Sequence, residues 1–196
     1  MVSLTFCSAG CHRPAITGSS LCAVHSADPN ADAQRLGEMM SSQSLVSDIC
    51  GNGLHFDGMD FSHRKFYGCN FSNAVFSNCL FTGAMMQMSF FDFATFISCN
   101  LSGGDYQFLS FAGAIIQNCS FEGSELVSIN FDGSRISESV FNGSNLYNTR
   151  FISSELLRTN FIDCNLKRTH FIESKQKEIS FKSSNTSEAI FNLEEY

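Results

Sequence analysis

Residues 69–81 read Cys69-Asn70-Phe71-Ser72-Asn73-Ala74-Val75-Phe76-Ser77-Asn78-Cys79-Leu80-Phe81, with Phe at every fifth place and a small residue two places before each. A period of five fits neither the 3.6 of an α-helix nor the 2.0 of a strand. It belongs to a repeat architecture, whose short unit cannot bury its own apolar face and must stack on its neighbours. The pattern runs outward in both directions without an insertion. From residue 56 to Tyr196, 17 of the 21 Phe stand at positions ending in 1 or 6, and only Gln176 and Thr186 put a polar residue in that phase.

Segments such as Cys69-Asn70-Phe71-Ser72-Asn73, Ser144-Asn145-Leu146-Tyr147-Asn148 and Cys164-Asn165-Leu166-Lys167-Arg168 resemble the repeat unit of the pentapeptide-repeat family: a small residue, a polar one, a central Leu or Phe, then two mostly polar residues. The resemblance covers about residues 54–192. It implies an all-β solenoid, a right-handed quadrilateral β-helix with four pentads per coil and about seven coils, whose central and small residues both point inward. Four pentads make a 20-residue period, which the chain itself displays. Phe71, Phe91, Phe111, Phe131, Phe151, Phe171 and Phe191 form one unbroken column. Phe61, Phe81, Leu101, Phe121, Phe141, Phe161 and Phe181 form the opposite one, with one exception. On the other two sides aliphatic residues replace Phe after residue 100, so large and smaller side chains alternate as dense packing in a narrow tube requires.

Eight of the nine Cys fall into two kinds of place. Cys69, Cys79, Cys99, Cys119 and Cys164 occupy the small inward slot, where Cys serves as a small buried hydrophobe. Cys7, Cys11, Cys22 and His25 stand instead in Cys-x3-Cys-x10-Cys-x2-His spacing. Two close pairs separated by a short loop suit one tetrahedral Zn2+. His12 offers an alternative to Cys11, although three thiolates and one imidazole make the better set. The segment resembles a small zinc knuckle of some phage-type nuclease and DNA-associated proteins, carried by Gly10-Cys11-His12-Arg13-Pro14-Ala15 and Leu21-Cys22-Ala23-Val24-His25; no His-Asn-His nuclease core follows. A metal that folds a segment too short to own a core explains the spacing, and a recognition knuckle is the alternative. Asp28 then reads as a helix N-cap with Pro29 at the first helical position, Asn30 to Met40 as a short helix and Ser41 to Ser47 as a linker. Leu45 to Leu54 is expected to cap the first coil, with the zinc segment beside it. The divisions are thus a zinc-knuckle-like segment at 1–28, a helix, linker and cap at 29–53, and the β-helix at 54–196.

Lys plus Arg number 12 and Asp plus Glu 19, a net charge of −7, which argues against general nucleic-acid binding. No apolar run approaches a membrane span, and no leader pattern opens the chain, so a cytoplasmic protein is expected. The charge is uneven: eight acids face three bases over residues 51–149, whereas seven bases face four acids over residues 150–182. Some pentapeptide-repeat proteins that protect DNA gyrase from inhibitors resemble duplex DNA in shape and negative charge. A quinolone-resistance-like DNA mimic is therefore the runner-up reading, weakened by the basic third. Met85, Met88, Phe90, Phe93 and Phe108 fall on outward positions, a usual interface composition. They are either covered by the chain's own N-terminal segment or bind a protein partner or a second copy. None of the five His stands near a motif-like nucleophile and acid, and no phosphate-binding loop occurs. The sequence thus reads as a non-enzymatic protein-binding scaffold with a structural zinc and no small-molecule substrate.

Overall fold

The computed structural model describes residues 5–192. Its backbone shows why five residues make one side of a coil. Around each central residue the chain runs extended, the central side chain inward and its neighbours outward, as in Lys65–Tyr67. Two places past the centre, every residue from Asp48 to Ser183 at a position ending in 3 or 8 has φ between 47° and 72°. This left-handed residue turns the chain onto the next side, and the small residue that follows leaves room at the corner. Gly adopts that φ freely and Asn tolerates it, which explains their frequency at these positions.

The result is a parallel β-solenoid of about seven coils. On the side of Phe66, strands β1 (Leu45–Ser47), β3 (Lys65–Tyr67), β5 (Met85–Gln87), β7 (Asp105–Gln107) and β9 (Glu125–Val127) form one sheet. On the side of Phe76, β2 (His55–Asp57), β4 (Val75–Ser77), β6 (Thr95–Ile97), β8 (Ile115–Gln117), β10 (Arg135–Ser137), β11 (Glu155–Leu157) and β12 (Lys175–Lys177) form the other. Partners stand 20 residues apart throughout, as in Lys65 with Met85 and His55 with Val75. The remaining two sides, those of Phe71 and Phe81, are joined by single bridges such as Asn70 with Phe90 and Leu80 with Asn100.

Rings stack along the tube at the spacing of the coils. Phe91, Phe111 and Phe131 lie 5.0 Å apart in sequence, Phe131 and Phe151 4.9 Å. The opposite column meets them edge-on, with Phe121 and Phe131 6.1 Å apart at 86°. Each buried Phe contributes about 2–3 kcal/mol of apolar burial. A buried Tyr lies beside the single Leu of the Phe81 column. Tyr106 is fully buried and donates its hydroxyl to the carbonyls of Leu101 and Phe81, at 3.0 and 3.2 Å. Its ring leaves no space for a side chain at Gly104, where a Cβ would lie 2.2 Å from Cζ. Gly104 and Tyr106 are one packing solution.

The inward small slots change chemistry along the tube. Below, Cys79 and Cys99 direct their S–H groups to the carbonyls of Phe56 and Phe76, at 3.5 and 3.3 Å. Above, hydroxyls take over: Ser144 donates to the Phe121 carbonyl at 2.7 Å while its oxygen accepts from the Ser124 N–H at 3.1 Å. Burial holds the Cys69 thiol up at about 11, and burial together with its neighbour Cys99 pushes Cys79 up as well. These thiols are packing groups.

Helix α1 (Pro29–Ser42) starts as the sequence suggests, with the Asp28 carboxylate accepting from the Ala31 N–H at 3.0 Å. It runs two residues beyond the expected Met40, and only Gln43 and Ser44 separate it from β1. The expected Ser-rich linker and cap are therefore helix end and first coil: Val46 is fully buried, and β1 pairs with β3. The lower end is closed by α1 itself, whose Ala33, Leu36 and Met40 join the core and whose Gly37 lies against Met59. At the upper end Gln176 is exposed on the last described strand and Thr186 opens a short 3-10 turn, so both polar exceptions lie in the last described coil. Tyr196 lies outside the described residues.

Candidate functional site

Two turns assemble the Cys/His cluster. In the first, the Gly10 N–H donates to the Cys7 carbonyl at 3.1 Å and Gly10 takes φ 75°, carrying the chain back past Cys11. In the second, the N–H groups of His25 and Ser26 both donate to the Cys22 carbonyl, at 3.0 and 2.9 Å. The turns converge so that the Sγ atoms of Cys7, Cys11 and Cys22 and a ring nitrogen of His25 lie within 4.8 Å of one another. Cys7 Sγ is 3.4 Å and Cys22 Sγ 3.6 Å from His25 Nδ1, and Cys11 Sγ is 3.6 Å from Cys22 Sγ. A tetrahedral ion with Zn–S of about 2.3 Å and Zn–N of about 2.0–2.1 Å has edges of about 3.6–3.8 Å. The donor set fits such an ion. His12 is exposed and outside the cluster, so Cys11 is the fourth member of the set. A backbone hydrogen bond from Cys22 lowers the Cys7 thiol to about 6, and hydrogen bonds to Cys7 and Cys22 raise the His25 imidazole. Thiolate character is thus favoured at Cys7 by the fold.

This segment is fastened to the solenoid. The Thr17 N–H donates to the Cys50 carbonyl at 2.9 Å, and the Cys50 N–H donates to Thr17 Oγ1 at 2.8 Å, so both lower backbone groups of that first-coil residue are satisfied. Ile16 is buried in the common core, Ala23 abuts Gly53, and Arg35 of α1 donates to the Thr17 carbonyl at 2.9 Å.

The outward apolar residues are not covered by it. Met88 is 51% exposed, Phe90 46%, Phe93 66% and Phe108 57%. They cross the Phe71 side from edge to edge: Met88 and Phe108 at one corner, Phe90 on the flat, Phe93 at the other corner, where its ring lies over Gly113. Met85 is half-buried on β5, beside Leu45 and Tyr67 in a shallow groove. Sequence reading found these residues but missed what their positions cost. Met88, Phe93 and Phe108 are corner residues with φ of 50°, 57° and 54°, and they are the only apolar members among the described non-glycine residues of positive φ. The signal was legible, because nine of the 14 Gly stand at the repeat's own positions ending in 3 or 8, from Gly53 to Gly143.

Charge on the upper coils is largely paired with the coil below. Arg150 binds Asp132, Arg158 binds Glu138, and Glu155 receives Lys175 at 2.9 Å and Arg135 at 3.3 Å. His55 Nε2 and Ser77 Oγ lie 3.2 Å apart on an open side, with no carboxylate bound to the imidazole among the described residues.

Residues 55–87 and 74–106 match the family described as "Pentapeptide repeats (8 copies)", and residues 114–191 match "Pentapeptide repeat region". The chain belongs to the pentapeptide-repeat family. Among solved structures, this pentapeptide-repeat protein is similar to QnrB1, a plasmid-mediated fluoroquinolone resistance protein, at 19% identity over 75% of this chain and 79% of that one, with a TM-score of 0.45. It is also similar to HetL, involved in heterocyst differentiation regulation in the cyanobacterium Nostoc sp. strain PCC 7120, at 9% identity, with 80% and 95% of the chains covered and a TM-score of 0.34. Rfr23 from the cyanobacterium Cyanothece 51142 matches at 12% identity over 81% and 99%, with a TM-score of 0.35. At such identities the likeness is one of fold. No curated protein matches the chain. Among the described residues no helix is long and apolar enough to cross a membrane.

Proposed function

We propose that this pentapeptide-repeat protein is a non-enzymatic, cytoplasmic binding scaffold that engages a protein partner or a second copy through Met88, Phe90, Phe93 and Phe108, with Met85 at the margin. One observation carries the reading. A left-handed backbone costs an ordinary side chain about 1–2 kcal/mol, and Gly or Asn, used at most other corners, would reduce or remove that cost. The chain nevertheless places Met88, Phe93 and Phe108 there and leaves them exposed. Strain of this kind gathers where a fold meets something outside itself. A structural Zn2+ on Cys7, Cys11, Cys22 and His25 belongs to the same reading, supported by the tetrahedral edges of the donor set. The nine cysteines are all free, as suits a reducing compartment.

Affinity capture from host extract, with sedimentation of the purified chain, tests the surface: a specific partner or self-association is expected with wild type and lost with Phe90→Ser plus Phe108→Ser. The runner-up, a DNA mimic acting on gyrase, rests on the acid excess of residues 51–149. It requires inhibition or drug protection in a supercoiling assay that survives the double Ser variant and disappears when Asp92, Asp105, Glu122 and Glu125 are neutralised. That pattern would replace the present reading.

A further inference from the structure

Among the described residues, the N-terminal hydrogen bonds that close the lower edge of the Phe71 side run through Thr17, which lies between Cys11 and Cys22 in the chain, and the ligands of the Cys/His cluster differ in access. Cys7 and Cys22 are buried, whereas Cys11 is partly exposed. The Sγ atoms of Cys11 and Cys22 are 3.6 Å apart, so an S–S bond of about 2.0 Å requires them to approach by about 1.5 Å. Between Cys11 and Cys22 the chain passes through Thr17, whose N–H and hydroxyl hold both free backbone groups of Cys50. Metal, turn geometry and edge closure are therefore linked through one short piece of chain.

We propose that Cys11 and Cys22 form a reversible oxidation site that couples zinc retention to closure of the solenoid's lower edge, a proposal that rests on the zinc reading. The oxidant is a peroxide. The Cys11 thiolate attacks one peroxide oxygen, the O–O bond breaks, and Cys11 becomes a sulfenic acid as hydroxide leaves. The Cys22 thiolate then attacks the Cys11 sulfur, forming the S–S bond and expelling a second hydroxide. Two protons from solvent convert the hydroxides to water, so two thiolates and one hydrogen peroxide give one disulfide and two waters. Cys7 and His25 alone do not hold the ion, which leaves. The two turns lose their common centre, Thr17 is released from Cys50, and the lower edge of the Phe71 side opens to water. The core of the upper coils, including Phe131 and Phe151, is untouched.

The test is stepwise hydrogen peroxide addition to the zinc-loaded 196-residue chain. Zinc release is followed with a chromogenic chelator, disulfide mapping by peptide mass and amide exchange by NMR. Expected are loss of about one zinc per chain, a Cys11–Cys22 disulfide, and Cys50 amide exchange faster by about tenfold or more while the Phe131 amide stays protected. Thiol reductant plus zinc should restore the starting state. Zinc retained under excess peroxide, oxidation that falls instead on Cys79, Cys99 or Cys119, or Cys50 protection unchanged after zinc loss would each overturn the proposal and leave the zinc reading standing. A purified protein that takes up no zinc overturns both.

Discussion

From Phe56 to Phe111 every inward centre except Met86 and Leu101 is aromatic, the small slots from Cys69 on are mostly Ala and Cys, and every exposed large hydrophobic side chain among the described residues lies at or before Ile115. Above it, Phe alternates with Leu and Ile around the coil, and the slots are mainly Ser and Thr that hydrogen-bond to the coil beneath. The outside there carries ion pairs and an amide ladder in which Asn185 donates to Asn165 and Asn165 to Asn145. The backbone is the same in both halves. Inward positions are committed to packing in either, so the difference lies in what each half offers to its surroundings. The upper half satisfies its own surface, whereas the lower half leaves apolar groups unsatisfied at positions where the backbone disfavours them.

The comparison breaks most readily in the core. Phe131 is fully buried between Phe111 and Phe151, so Phe131→Ala should cost about 3–5 kcal/mol in denaturant unfolding. Phe93→Ala, on the exposed corner, should cost far less; similar losses at the two sites would mean that inward and outward positions have been confused.

A smaller effect is expected where the halves meet. Gly104→Ala drives a methyl into Tyr106 and should cost about 1–3 kcal/mol, much of it recovered in a Tyr106→Leu background. An additive double variant would show that the two residues are not one packing unit.

Smallest of all is the ion-pair ladder of the upper half. Arg158 is exposed, and solvent screens its pair with Glu138. Arg158→Ala, or a rise to molar salt, should leave the unfolding midpoint where it was. A large drop would make the ladder a structural element rather than a surface finish.

The solenoid was legible because one residue in five is inward-facing and nearly always Phe or aliphatic, so Phe71, Phe91 and Phe111 declare both the turn and the column. The convergence of Cys7, Cys11, Cys22 and His25 was legible from their spacing. What could not be read was the start of the tube. Val46 and Gly51 stand in phase with the later Phe residues, but Gly51 is a centre without a side chain, its space taken by the ring of Phe71. That disguised the first coil as a cap. The backbone cost at Met88, Phe93 and Phe108 was hidden for a different reason: nothing in a residue's name states its φ, and only the alignment of Gly at the same phase betrays it.

On the function proposed above, those three side chains are held against the preference of the backbone for the sake of a contact outside the chain. Denaturant unfolding of the combined Met88→Asn, Phe93→Asn and Phe108→Asn variant tests it most directly, because Asn tolerates the left-handed φ and gives up the apolar surface. The variant is predicted to be at least as stable as the wild type. A midpoint lowered as far as that of Phe131→Ala would show instead that these residues serve the fold, and would contradict the claim.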